Sequence, residues 1–324
     1  MNDAETSVGA PTSYFGVSSP KELVENLDKQ DYLADEGLAT ALFLALALKR
    51  PLLLEGDAGV GKTEVAKALS SWLEVPLIRL QCYEGIDVSQ AVYEWDYARQ
   101  LLHIRTMEVL GGQGEAANVE GVEDELFSER FLVRRPLLKA LDPSVYIKKD
   151  GEIFPPVLLI DEIDRADDEF EAYLLEILSE NAVTIPELGT IASLRAPITI
   201  ITSNRTRDVH DALKRRCLYH WVEHPSFERE ISIIKRRAPE VALRLVAQVA
   251  MITQEVRRLG IYKPPGIAEA IDWARSLSIL RSDEIDAETF AKTLGVLVKY
   301  REDEERVKTL DLSKVVHNAL ESLK

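Results

Sequence analysis

Apolar positions change their period along the chain. Leu52–Leu54, Pro76–Leu80, Val157–Ile160 and Ile198–Thr202 are short runs, rich in Leu and Ile and mostly apolar on both faces. Such runs predict strands buried in a parallel sheet, where neighbouring layers cover both faces. "CLYHWVEHP", starting at Cys217, alternates like a fifth strand. Between the runs, Val65/Leu69/Trp72 and Phe170/Tyr173/Ile177 recur at helical spacing. Strand–helix alternation of this kind predicts a doubly wound α/β domain. From about Pro225 only the helical period remains. Leu245, Val249, Ile252, Val256 and Leu259 form one stripe, with Gly260 as its C-terminal stop. Further helices are expected over Ala268–Leu280 and Ala287–Lys299, with a charged one to the end. The expected organisation is a flexible polar tail over 1–20, an α/β domain over 21–224 and a small all-α domain over 225–324. "GGQGEAANVEG", Gly111–Gly121, reads as a mobile surface loop.

Charge narrows the range of partners. Among 324 residues, 39 basic against 55 acidic side chains give a formal net charge of −16. That disfavours non-specific binding to nucleic acid, so no nucleic-acid partner is expected. The two cysteines, Cys82 and Cys217, form no C-x-x-C pair, so neither a disulfide framework nor a zinc knuckle is indicated. The longest largely apolar run, Leu38–Leu48, is eleven residues followed by Lys49 and Arg50, too short for a bilayer. "MNDAETSVGAPTSYF" lacks the layout of a signal peptide. No integral membrane segment and a reducing, cytoplasmic home are the expectations.

The most specific chemistry lies in "GDAGVGKT", comprising Gly56, Asp57, Ala58, Gly59, Val60, Gly61, Lys62 and Thr63. A strand running into a glycine-rich turn and then a helix start builds a nest of N–H groups at the helix's positive end. The glycines let backbone approach phosphate without a Cβ in the way. In this pattern Lys62 reaches the β- and γ-phosphates of a nucleoside triphosphate, and the Thr63 hydroxyl ligates Mg²⁺. "VLLIDEID", Val157–Asp164, ends a buried strand in carboxylates at the sheet's carboxyl edge. Asp161 is expected to hold Mg²⁺ through water and Glu162 to polarise an attacking water, the bland alternative being a helix cap at Asp164. "ITIITSN" ends in Asn204, read either as an amide beside the γ-phosphate or as a turn asparagine. Arg205, Arg207, Lys214, Arg215 and Arg216 follow, a basic cluster in an acidic chain. It is either a solvated helix face or a set of cations for a triphosphate on a neighbouring subunit.

Together these elements resemble the AAA+ ATPases from about Leu23 to Leu280. "DEIDRADDEFEAYLLEILSENAVTIPELG" resembles the MoxR branch, in which a β-hairpin is inserted before the sensor strand. Ala182–Ala196, with Pro186 and Gly189 in the turn, fits that insert. "RLQCYEGIDVSQAVYEWDYARQLLHIR" and "LFSERFLVRRPLLKAL" are similar to the CoxD-type MoxR proteins, encoded beside molybdenum hydroxylases such as aerobic carbon monoxide dehydrogenase.

The resemblance implies an AAA+ P-loop NTPase core with a helical lid, and ATP hydrolysis with Mg²⁺ in a homo-oligomeric, hexameric ring. Lys62 and Thr63 match the Walker A pair, Asp161 and Glu162 the Walker B pair, and Asn204 sensor 1. Arg216, with Arg215 as competitor, matches an arginine finger acting in trans. It also implies a von Willebrand factor A (VWA)-domain partner and a protein client, such as a molybdenum hydroxylase apoenzyme.

One departure stands out. Where the family commonly carries a sensor-2 arginine in a "GASPRA"-like stretch, this chain reads "PPGIAEAIDWARSL". Glu269 stands near the expected place and Arg275 too far along, so sensor 2 is unassigned.

Other patterns are set aside. "LGGQ" at Leu110–Gln113 lacks the serine of a transporter signature, and no N-K-x-D motif reads guanine. Cys217, His220 and His224 alternate as strand residues and are read as structural, and Cys82 as a small buried hydrophobe. Two other functions compete: an AAA+ nucleic-acid motor or loader, which needs a basic hairpin where this chain offers Arg195 against Glu187, and a P-loop small-molecule kinase, which leaves the helical C-terminal part unexplained.

Overall fold

In the computed structural model, which describes residues 15–110, 119–149, 151–311 and 313–314, the five expected runs are strands: β1 (Leu52–Glu55), β2 (Leu77–Gln81), β3 (Val157–Asp161), β4 (Ile198–Ser203) and β5 (Leu218–Trp221). They form one sheet in the order β5-β1-β4-β3-β2. β4 and β2 both run parallel to β3, with Ile201 opposite Ile160 and Gln81 opposite Asp161. Every residue of β1, β3 and β4 is buried, which is why their sequences show no polar alternation.

The chain divides into two compact units. The first holds Met1–Leu23, Glu36–Leu54 and Ala66–His220, and the second holds Val24–Asp35, Glu55–Val65 and Trp221–Lys324. The second is therefore assembled from three stretches, where the helical period alone traces only the last, and it includes the glycine-rich stretch.

In the first unit, α1 (Glu36–Leu48) turns the longest apolar run into a helix with Leu38, Leu42 and Leu46 buried. Leu53, Leu80, Leu158, Ile160 and Ile201 of the sheet pack with Leu174 and Ile177 of α3 (Asp168–Glu180) and Leu213 of α4 (Asp211–Arg216), while α2 (Lys62–Leu73) follows β1. α3 is capped by the Asp167 carboxylate, which accepts the Phe170 N–H at 2.8 Å. It ends at Asn181 in the left-handed conformation. There the hairpin Ala182–Ile185 with Gly189–Ala192 begins, its turn spanning Pro186–Leu188. Two short antiparallel pairings have no counterpart in the periodicity: Tyr93–Trp95 with Leu132–Arg134, and Ile147–Lys149 with Glu152–Phe154.

Of the expected tail, residues 1–14 lie outside the described residues. Phe15 packs on the Phe154 ring and under the Arg195 guanidinium, and Pro20 opens a helix. The expected loop Gly111–Gly121 lies outside the described residues as far as residue 118, and Val119 opens a helix to Leu126.

The second unit contains α5 (Phe227–Arg237), α6 (Leu243–Arg258), α7 (Ile267–Ile279), α8 (Ala287–Leu297) and α9 (Arg301–Val307). Gly260 turns the chain after α6 with φ +60°. Trp273, fully buried, satisfies its indole N–H by donating to Thr293 Oγ1 at 2.8 Å. Among the described residues no helix is long and apolar enough to cross a membrane.

Candidate functional site

The glycine-rich stretch leaves β1 at Glu55 and enters α2 at Lys62, as the strand–turn–helix pattern requires. Its glycines divide in role. A Cβ on Gly56 would collide with the Val222 carbonyl oxygen, and one on Gly59 would lie 2.9 Å from Glu269 Oε2 and 3.1 Å from Gly266 Cα. These two glycines therefore make room for the protein's own chain. Gly61 alone of the three, at φ +96°, has open space where a side chain would stand. Lys62 is 6% exposed, and its Nζ donates to the carbonyls of Gly56 and Asp57 at 2.7 Å each. Asp57 in turn meets His224 Nε2 at 3.1 Å. Burial, with Arg257 nearby, pushes the His224 pKa below its ordinary value, against the opposing pull of Asp57.

The acidic strand ends inside a polar network of the first unit. Asp161, nearly buried, accepts at Oδ1 from the Thr202 hydroxyl at 2.5 Å and at Oδ2 from Arg79 Nε at 3.0 Å and Nη2 at 2.6 Å. Glu162 takes the left-handed conformation, φ +56° and ψ +51°, and its N–H donates to Thr202 Oγ1 at 3.0 Å. Its carboxylate accepts from Asn204 Nδ2 at 3.3 Å, Gln81 Nε2 at 3.2 Å and Arg165 Nε at 2.8 Å. β4 lies beside β3, so Asn204 follows its strand directly to Glu162.

Asp164, offered above as a helix cap, instead fastens the loop after β4. It accepts from the backbone N–H of Asn204 and Thr206 at 3.1 and 2.9 Å, and from the Thr206 hydroxyl at 2.6 Å. Burial pushes its pKa up, but these bonds outweigh burial and hold it below the usual carboxylate range. Thr202, Arg79 and Gln81 are thus members of the site that the motifs did not name. The signals available were a Thr near the end of a largely apolar strand and two polar positions near the end of β2.

The basic cluster divides too. Arg207 pairs with the buried Glu171 carboxylate and with the Ala166 carbonyl, so it is spent inside the unit. Arg215 and Arg216 are exposed in the last turn of α4, and Arg216 Nη1 donates to Ser179 Oγ. Arg50 donates from Nε to the Arg216 carbonyl at 3.0 Å and from Nη2 to the Arg215 carbonyl at 2.6 Å, closing that helix's C-terminus. Cys82 and Cys217 are buried, and burial pushes both thiols up to about 12.

Around the expected sensor-2 position, Glu269 is the third residue of α7, and its Oε2 accepts the Gly266 N–H at 3.0 Å. Arg275 instead donates to the Arg237 carbonyl. Glu230, fully buried, is gripped bidentately by Arg257 at 2.7 and 2.8 Å, and Arg257 Nε holds the Pro265 carbonyl at 2.7 Å.

Two relatives are proteins described only as uncharacterised, one from Staphylococcus aureus strain USA300 and one from Staphylococcus epidermidis. Each is 24% identical over 227 residues, covering 68% of this chain and 72% of the relative. Among solved structures, the Thermotoga maritima RuvB Holliday junction branch migration motor aligns with a TM-score of 0.45 at 17% identity, covering 92% of this chain and 76% of that one. The parallel five-stranded sheet among helices, followed by a helical region, is the AAA+ P-loop NTPase fold. The AAA domain (dynein-related subfamily) family matches residues 51–217, so this chain belongs to that family.

Proposed function

We propose that the chain is an ATP-hydrolysing remodelling ATPase of the MoxR type, working as a ring of identical subunits on a protein client. The observation that carries hydrolysis is the Asp161–Glu162 pair, held by Thr202, Asn204 and Gln81 at the end of a buried parallel strand. Glu162 is oriented by three donors, which suits a base that must aim at one water. Asn204 adds a neutral amide to the same group.

The residues present fit a magnesium nucleotide. Gly61 leaves open backbone before the first turn of α2, where Lys62 and Thr63 stand at the helix's positive end. By their motifs, Lys62 would hold phosphate oxygens, Thr63 would offer Mg²⁺ a hydroxyl ligand and Asp161 would hold it through water. The metal's contribution when bound is to neutralise charge on the phosphates. Arg216, with Arg215 as competitor, is proposed to serve the nucleotide of an adjoining subunit.

The client reading rests on likeness of sequence. The stretches from Arg79 to Arg105 and from Leu126 to Leu141 resemble the CoxD-type proteins, which favours a molybdenum hydroxylase apoenzyme as client and a VWA-domain protein as partner.

Lys62→Ala is expected to abolish ATP binding, and Glu162→Gln to bind ATP and turn it over at least about 100-fold more slowly. Mixing Lys62→Ala with Arg216→Ala subunits, each inactive alone, should restore part of the turnover. Normal hydrolysis by assembled Arg215→Ala and Arg216→Ala proteins would sink the shared-site reading. The Glu162→Gln protein should co-purify with its client, and absence of the apoenzyme among captured proteins would remove the maturation role.

A further inference from the structure

The phosphate-loop candidate and the start of α7 belong to the same unit and meet backbone to backbone. Ile267 N–H donates to the Gly59 carbonyl at 3.0 Å. A Cβ on Gly266 would stand 2.6 Å from Gly59 Cα. Only glycine at both positions allows this approach. Beside it the Glu269 carboxylate accepts the Gly266 N–H and lies against Gly59. The first turn of α7 thus brings a negative group to a loop read as an anion site. From Pro264 to Asp272 no side chain is cationic, and the cation that reaches this turn, Arg257 on the Pro265 carbonyl, is paired with Glu230.

We propose that Glu269 is a specificity-determining residue that weakens the hold of Gly56–Thr63 on polyphosphate. Its carboxylate does two things at once. It caps α7, fixing the helix against Gly59, and it opposes the charge of phosphates bound by the same loop. The penalty grows with the number of phosphate charges, so it falls hardest on the triphosphate and leaves the diphosphate easier to keep than a cation at this position would. ATP is then bound at high occupancy only when Lys62, Mg²⁺ and a neighbour's arginine together outweigh Glu269. The inference rests on the nucleotide-binding reading above.

Glu269→Gln tests it, because the amide oxygen still accepts the Gly266 N–H while the charge is gone. Titration calorimetry of the full-length chain with MgADP, MgATP and magnesium tripolyphosphate should find the variant binding about tenfold tighter at low salt. The gap should narrow as ionic strength rises, and should be smaller for MgADP than for MgATP. A structural role alone would not move the salt dependence. Equal affinity of parent and variant for all three ligands overturns the inference while leaving the nucleotide site standing. A gap that ignores salt also overturns it. No binding by either protein removes the nucleotide site and the inference with it.

Discussion

Replacing Thr202 by valine exchanges one hydroxyl for a methyl of nearly the same size, yet it touches both acidic residues, Asp161 through its carboxylate and Glu162 through its backbone N–H. The hydroxyl donates to Asp161 Oδ1 at 2.5 Å and accepts the Glu162 N–H at 3.0 Å, at a site where Thr202 is 1% exposed. A hydrogen bond to a charged group contributes roughly 1.5–3 kcal/mol and a neutral one about 1 kcal/mol, and a methyl can make neither. The expected cost is about 3 kcal/mol, on the order of a hundredfold in the folded-to-unfolded ratio. Glu162 adds a second consequence. Its left-handed backbone costs roughly 1 kcal/mol and is held by that N–H bond, so its release lets the carboxylate swing from Asn204 and Gln81. Urea unfolding followed by circular dichroism reads the first effect, and steady-state ATP turnover the second. Thr202→Ser should restore both. If Thr202→Val unfolds within about 0.5 kcal/mol of the parent and hydrolyses ATP at its rate, the hydroxyl is not what orders the acidic pair.

Other outcomes follow from burial and charge. Arg257→Leu strands the fully buried Glu230 and should cost about 3–5 kcal/mol, whereas Arg257→Met with Glu230→Leu should recover most of it. Equal losses in single and double variants, by urea titration, would contradict a coupled pair. His224 has a pKa depressed below 6.5, so the unfolded chain takes up the proton first. Stability should therefore decline as pH falls through that window and be unaffected above it. His224→Gln should flatten the slope, and an unchanged slope in urea midpoints across the window would exclude it as the cause. With thiols pushed to about 12 and both side chains buried, Cys82 and Cys217 should label with a thiol reagent only at the rate of unfolding. Prompt labelling of native protein would show one of them accessible.

What the sequence made legible follows from which interactions are local. β1, β3 and β4 announced themselves because a strand buried on both faces needs a continuous apolar run, as Leu52–Leu54 or Val157–Ile160 has. The hairpin at Ala182–Ala192 was equally readable, since Pro186 and Gly189 bracket its turn. The pairing of Tyr93–Trp95 with Leu132–Arg134 was not. Three residues cannot establish a period, and the partner lies far along the chain. The same limit explains the site. Asp161, Glu162 and Asn204 stand at strand ends, where carboxyl-edge chemistry is expected. Arg79 and Gln81 join them only through the β2–β3 register, a fact that no local pattern carries. The close approach of Val222 to Gly56 and of Gly266 to Gly59 is likewise long-range, and the motif alone does not carry it. The arginines illustrate the converse. A run of cations suggested one shared role, but the buried Glu171 recruits Arg207 alone.

Arg50 gives the remaining two arginines an unusual mount. It clasps the carbonyls of Arg215 and Arg216 two residues before β1 begins, and the Leu218 N–H donates back to the Pro51 carbonyl at 2.8 Å. The C-terminal end of the short helix bearing these cations is thus tied to the sheet's own frame. Whatever Arg215 and Arg216 reach for, their backbone keeps its place against that frame.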